Sequence, residues 1–200
     1  MRIYNNMLTA EECQAKTDEE LVPLVLKNPD DFLYIMNRYQ TPLLRFIRRI
    51  SGVSLADAED VLQEVYIKVY KNLNSFDTSL KFSSWIYRIT RNHVISENRK
   101  KKNHQEFLLD EDDTGENKFI SRIDLSKEID NVLNRETIAK VLANLDEKYR
   151  EALVLRFLEE MDYQEMADVL KKPIGTVGTL INRAKKVFYE ELKKQKIIIK

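Results

Sequence analysis

The sequence holds one cysteine in 200 residues, Cys13. A disulfide within the chain is therefore excluded, a thiolate zinc site has no ligands to build on, and a reducing cytoplasm is the natural compartment. Histidine is nearly as scarce, with only His93 and His104, and neither is read as part of a metal site; no metal and no cofactor is expected. No run approaches the roughly eighteen consecutive apolar residues of a membrane span, and no charged-then-apolar leader opens the chain, so direct membrane insertion is not expected. Glycine and proline number four each. With so few breakers, the long segments of helically spaced apolar residues make this an all-α chain. Acids and bases balance at 33 each, so net charge names no partner until the charges are placed along the chain.

They lie in blocks. Arg88, Arg91, Arg99, Lys100, Lys101 and Lys102 are opposed only by Glu97, whereas Glu106, Asp110, Glu111, Asp112, Asp113 and Glu116 reverse the sign, and lysines and Arg183 restore it near the C-terminus. Apolar stripes begin at Leu21, Leu24 and Val25, continue at Phe32, Ile35, Met36 and Tyr39, and resume after Pro42 with Leu43, Leu44, Phe46, Ile47 and Ile50. The next helix starts at Ser54, capped by its hydroxyl with Asp57 reaching back. It buries Ala58, Val61, Leu62, Val65, Val69 and Leu73 and leaves Asp57, Glu59, Asp60, Gln63 and Glu64 outside. Residues 72–82 read as a loop and about Ser83 to Arg99 as a helix. The organisation is an extension at 1–16, a helical unit at 17–102, a flexible acidic linker at 103–128, a second helical unit at 129–195 and a short tail at 196–200.

Two stretches carry chemistry. In "KFSSWIYRITRNHVISENRKKK", residues 81–102, rings and cations alternate. Aromatic faces stack on unpaired bases and Arg or Lys hold phosphates, so the mixture fits a single nucleic-acid strand. Phe82, Trp85, Ile86 and Ile89 also share one helical face, and Trp85 is read first as core and second as a base contact. In "YQEMADVLKKPIGTVGTLINRAKKVF", residues 163–188, Met166, Ala167, Leu170, Ile174, Val177, Ile181 and Ala184 have the core spacing of a helix-turn-helix packed on a third helix, Glu147–Leu158. Its second helix then presents Thr176, Gly178, Thr179, Asn182, Arg183 and Lys186 outward, where N-terminal residues reach base edges and Arg183, Lys185 and Lys186 suit phosphates. An αα-hairpin with a solvated basic face is the plainer alternative.

Read with "LDEKYREALVLRFLEEMDYQEMADVL" before it, this second segment resembles region four of the extracytoplasmic-function sigma factors of bacterial RNA polymerase. "DAEDVLQEVYIKVYKNL" and "FDTSLKFSSWIYRITRNHVI" resemble region two of the same group, in the same order and spacing. The resemblance implies a partner, core RNA polymerase, met by Asp60, Gln63 and Glu64, although a solvated acidic face needs no partner. It implies promoter DNA as a second partner. The non-template strand of the minus-ten element falls to Phe76, Asp77, Thr78, Ser79, Leu80, Lys81 and Phe82 with Asn92, while Arg88, Arg91, Arg99 and Lys100 track the backbone. Region four implies minus-thirty-five contacts from the outward residues of the helix-turn-helix. His93 is expected on a helix surface or facing DNA, and His104 in solvent. The acidic linker either tethers the units, leaving them free to separate, or imitates nucleic acid along the polymerase's RNA path.

Departures from the pattern are local. Lys171 stands where the group usually has glycine, Lys172 where an apolar residue is usual, and Gly178 and Leu180 where many relatives carry Lys and Arg. The expected function is a transcription initiation factor with no catalytic chemistry and no small-molecule substrate, held in check in some circumstances by an anti-sigma protein. A stand-alone helix-turn-helix repressor or activator is the alternative; it would bind duplex DNA as a dimer and leave the aromatic-rich first unit without a role. A metal-dependent nuclease would need acids converging on one pocket, and here they fall on a linker and on helix faces.

Overall fold

A computed structural model describes residues 10–103 and 135–195. Every regular element among them is helical. The first unit opens with a short turn of helix, α1 (Ala10–Gln14), and α2 (Asp18–Lys27). Thr17 caps α2 in a full capping box: its hydroxyl accepts the Glu20 N–H, and the Glu20 carboxylate accepts the Thr17 N–H. The long α3 (Phe32–Ser51) follows and stops at Gly52, whose φ of 73° is the left-handed conformation that costs glycine nothing. Pro42 does not divide this helix, contrary to the two stripes read from sequence. Leu43, Phe46, Ile47 and Ile50 continue the buried face set by Phe32, Ile35 and Tyr39, and that burial outweighs one missing backbone bond.

Ser54 caps α4 (Leu55–Asn72), accepting the Asp57 N–H. The Asp57 carboxylate meets the Ser54 hydroxyl, 2.7 Å away, rather than closing a capping box on the backbone. The buried face of α4 is Ala58, Leu62, Val65, Tyr66 and Val69; Val61 is only half-buried, and the Tyr66 hydroxyl donates to the Met36 carbonyl of α3. A loop then leads to α5 (Phe82–Asn103). Its first turn is capped from elsewhere: the Glu19 carboxylate of α2 accepts the Phe82 N–H at 2.8 Å, placing negative charge where a helix end welcomes it.

The second unit comprises α6 (Arg135–Ala143), α7 (Glu147–Leu153, prolonged as a π-helical turn over Val154–Leu158), α8 (Tyr163–Leu170) and α9 (Ile174–Lys194). Arg150 binds the end of α6 by donating to the carbonyls of Leu142, Ala143 and Leu145. The predicted helix-turn-helix core holds at Met166, Ala167, Leu170, Val177, Ile181 and Ala184, all buried. Ile174 departs from it. As the first residue of α9, directly after Pro173, it points outward and is 51% exposed.

The two units are in contact. Their buried side chains form one continuous core, α8 lies along α5, α7 with its π-helical turn approaches α3, and Arg150 donates across to the Ile50 carbonyl in the last turn of α3. The free separation expected from the sequence is therefore not the arrangement observed. No helix among the described residues is long and apolar enough to cross a membrane. The acidic stretch 104–128, His104, Lys101 and Lys102 as side chains, and residues 196–200 lie outside what is described.

The turn between α8 and α9 keeps its usual shape despite lacking glycine. Lys171 adopts the left-handed conformation at φ 54° and ψ 46°, and the N–H groups of Lys171 and Lys172 both return to the Ala167 carbonyl. Such a backbone costs a residue with a Cβ about 1 kcal/mol relative to glycine. Lys171→Gly is expected to stabilise the chain by about that amount in urea unfolding, with the secondary structure unchanged by circular dichroism.

Candidate nucleic-acid interface

Phe76, Phe82 and Trp85 meet in one aromatic cluster with ring centroids 5.2 to 5.4 Å apart, and Tyr39 of α3 adds an edge at 5.7 Å. All four rings are buried, Phe82 completely. Burial of this kind is worth several kcal/mol per ring and leaves no face free for a base. Trp85 is thus core, the first of its two readings. Phe76 and Phe82 form a floor beneath the loop rather than a stacking surface above it.

Over that floor stand Asp77, Thr78, Ser79, Leu80 and Lys81, all exposed, with Leu80 at 51%. Asp77 shapes this loop. Its carboxylate accepts the Ser79 N–H at 2.9 Å, its carbonyl accepts the Leu80 N–H, and the Ser79 bonds hold the carboxyl below the usual carboxylate range. Along α5, Asn92, Arg99 and Lys100 are exposed and Arg88 is half-buried, while Lys100 pairs with Glu97 at 2.8 Å.

His93 is not on the surface. Its side chain is 2% exposed, wedged under α4 with Nδ1 2.5 Å from Lys68 Nζ and Nε2 3.2 Å from Glu64 Oε2. Burial first, then the Lys68 charge, pushes the imidazole below its ordinary pKa, so it is neutral near pH 7 and accepts from Lys68 at Nδ1. The sequence reading failed here because a polar ring on a mixed helical face carries no mark of which side it takes; only the crossing of α4 over α5 covers it.

The outer face of α4 carries Asp60, Gln63 and Glu64, all exposed as expected. It also carries Leu55, Ile67 and Tyr70, exposed by 44 to 54%, which the sequence reading did not single out. Their signal was available: Ile67 follows Glu64 by three residues and so shares the polar face. An acidic stripe bordered by large apolar side chains has the composition of a protein-docking face rather than a merely solvated one.

In the second unit Thr176, Thr179, Asn182, Arg183 and Lys186 are exposed along α9 and Gly178 is half-exposed. Lys185, by contrast, lies with its ammonium 5.2 Å from the Phe157 ring. Tyr163, 40% exposed, and Arg156, stacked 5.5 Å from its ring, border the same surface and were missed. Tyr163 is the residue Gly178 faces, since a Cβ at 178 would sit 3.7 Å from the Tyr163 ring, an ordinary contact.

One candidate phosphate-binding cation, Arg91, and the loop residue Lys81 are engaged by the second unit. Arg91 donates Nε and Nη2 to one carboxylate oxygen of Glu151 on α7, at 3.1 and 2.7 Å. Lys81 reaches Glu165 of α8 at 2.8 Å and Asp162 at 3.9 Å. Beside them, Glu159 accepts from Arg49 of α3 and from the Tyr87 hydroxyl of α5, each at 2.7 Å. Burial pushes the Glu151 and Glu159 carboxyls above the usual range even against these donors.

Comparison with known proteins bears on these surfaces. Residues 35–104 match the family model described as Sigma-70 region 2, and residues 135–187 that described as Sigma-70, region 4. The chain is 33% identical over 171 residues to the ECF RNA polymerase sigma factor SigW of Bacillus subtilis, covering 82% of this chain and 90% of that protein. It is 32% identical over 180 residues to the ECF RNA polymerase sigma-E factor of Escherichia coli, covering 84% and 91%. The fold is that of CnrH, solved in complex with the cytosolic domain of CnrY, with a TM-score of 0.64 at 20% identity over 90% of this chain and 99% of that one. It is also that of RpoE, solved with the anti-sigma factor NepR from Bartonella quintana, with a TM-score of 0.60 at 23% identity over 82% and 97%.

Because nothing sterically requires glycine at 178, Gly178→Ala is expected to stabilise the chain by about 0.5 to 1 kcal/mol through helix propensity alone. A destabilised variant in thermal unfolding would show that the Tyr163 ring cannot take the methyl.

Proposed function

The chain belongs to the extracytoplasmic-function sigma factors of bacterial RNA polymerase, and we propose that its outer α4 face docks on core polymerase while the loop 76–82 with α5 captures the minus-ten strand and α9 reads the minus-thirty-five element. It is a transcription initiation factor: it binds core polymerase, directs the enzyme to its promoters and promotes their melting. The observation that carries the assignment of surfaces is their separation. The acidic and apolar outer side of α4, the pre-shaped loop with its cationic helix, and the start of α9 are carried by different elements, and each leaves its own set of side chains exposed.

Each face suits a different partner. Asp60, Gln63 and Glu64 repel DNA but attract a basic protein surface, and Leu55, Ile67 and Tyr70 add apolar area to be buried there. Asp77 to Lys81 form a rim over a rigid aromatic floor, where an extruded base can be held without moving the core. Arg88, Arg99 and Lys100 follow the strand's phosphates. On α9, Thr176, Thr179 and Asn182 stand where a recognition helix meets base edges, with Arg183 and Lys186 placed for phosphates. Catalysis forms no part of this function, and its place is the cytoplasm, where polymerase works. An anti-sigma protein is a further expected partner, by analogy with RpoE, which was solved with the anti-sigma factor NepR.

The stand-alone regulator is disfavoured because it leaves the shaped loop and the α4 face unused. Mixing the purified chain with core polymerase is expected to yield specific initiation from a subset of promoters in a genomic library, with permanganate-reactive thymines upstream of the start. Asp60→Lys combined with Glu64→Lys is expected to weaken core binding by at least about tenfold, since a like-charge contact in an interface costs more than 1.4 kcal/mol. Unchanged core binding of that variant in a co-elution assay would remove α4 from the docking role.

A further inference from the structure

His93 is buried directly behind the outer face of α4, and nothing in the proposed function uses it. Lysine offers only donors, so the Nδ1 atom 2.5 Å from Lys68 Nζ accepts and carries no hydrogen. The single proton of the neutral ring is then on Nε2, 3.2 Å from Glu64 Oε2. That nitrogen is buried without a hydrogen-bond partner. The Glu64 carboxylate stands beside it and is still turned to solvent, with its side chain 62% exposed. Lys68 follows Glu64 by one helical turn and Asp60 by two, so all three share one side of α4. Glutamate one turn before lysine is the order in which the two pair most readily on a helix. Lys68 turns to His93 instead.

We propose that His93 is a positioning residue for polymerase docking: by accepting the Lys68 ammonium it keeps that lysine from neutralising Glu64, and on gaining a proton it releases Lys68 and draws Glu64 inward, so that acid weakens docking. The inference rests on the reading of the outer α4 face as the docking surface, and it adds a residue that sets the charge of that face from behind.

The charged groups that face the ring are Glu64 and Lys68 from α4 and Glu97 and Lys100 from α5. The last two pair with each other at 2.8 Å, so the field at the ring is governed by the α4 pair. Burial first, and then Lys68, hold the imidazole below its ordinary pKa, which puts its change of charge on the acid side of neutrality. A proton at Nδ1 replaces the acceptor of Lys68 with a positive N–H, and the ammonium is repelled. Lys68 is exposed along its length, so it can swing to Glu64 without moving the backbone. The imidazolium attracts the same carboxylate from the other side through Nε2. Both changes remove negative charge from the surface that is to meet a basic partner.

The test is the affinity of the full-length chain for purified core polymerase between pH 7.5 and pH 5.0. His93→Asn keeps an acceptor for Lys68 and does not titrate, and the ratio of parent to variant cancels the titration of polymerase itself. The parent is expected to lose about threefold in affinity relative to His93→Asn across this range, as the competent fraction falls. At pH 7.5, His93→Leu is expected to weaken binding about threefold, and to have no effect when Lys68→Gln removes the lysine it would have released. A purely structural role would not make the second effect depend on Lys68. One shared pH curve for parent and His93→Asn, or an undiminished His93→Leu loss in the Lys68→Gln background, would overturn the proposal. Should the His93 variants not fold, Lys68→Gln alone decides: without the neighbouring charge the acid-induced weakening is expected to begin at higher pH, and an unmoved onset counts against the proposal. If reversing the charges of Asp60 and Glu64 weakens docking while parent and His93→Asn titrate alike, only the role of His93 falls; if that reversal leaves docking intact, the docking face itself falls first.

Discussion

A guanidinium at a partly buried site must be paired, because an unpartnered charge there costs several kcal/mol. Arg91 meets this constraint through Glu151, and much of the molecule follows from how it does so. The carboxylate comes from the other unit, so satisfying Arg91 draws α7 towards α5. Once there, α8 runs along α5, Glu165 comes within reach of Lys81, and Glu159 settles between Arg49 and Tyr87. The association joins these ion pairs to the apolar core that both units share, and burial of its acids works against the pairing. Such an interface holds two units in register without welding them.

The first unit separates its rigid parts from its contacting parts. Phe76, Phe82 and Trp85 are spent on packing, which fixes the ends of the loop they flank. The loop itself is ordered by Asp77 through backbone bonds that ask nothing of the side chains around them. His93 ties α5 to α4, since it lies on α5 beside Asn92 and touches Glu64 and Lys68 of α4. Its neutrality matters because a charged ring there would have to compete with Lys68 for the same space.

The second unit keeps a standard helix-turn-helix shape with unusual residues. Lys171 accepts a left-handed backbone that glycine would adopt freely, which means the surrounding contacts enforce the turn. On α9 the missing side chain at Gly178 leaves the Tyr163 ring, with Arg156 stacked on it, beside a helix that has Gly178 and Leu180 where the resemblance leads one to expect Lys and Arg. Fewer phosphate contacts weaken binding that is independent of sequence. A tether to polymerase compensates by raising the effective concentration of this unit at its site.

Much was legible beforehand because it depended on local spacing. The helices, the Ser54 cap, the buried faces of α3 and α4, the helix-turn-helix core and the outward residues of α9 all follow from periodicity and turn chemistry. Pro42 and His93 were misjudged because each depends on what lies across from it, which periodicity within a helix does not report, and Ile174 because it opens α9 directly after Pro173. The aromatic alternation in 81–102 did not separate rings that stack on bases from rings that pack, since both uses place large side chains at the same intervals. Arg49, Glu151 and Glu159 gave no signal at all, since Glu159 stands 110 residues from Arg49 and Glu151 stands 60 from Arg91. Local pattern determined the elements and which faces they bury; only the tertiary structure decided which charges meet, because ion pairing depends on distances in space that no one-dimensional pattern encodes.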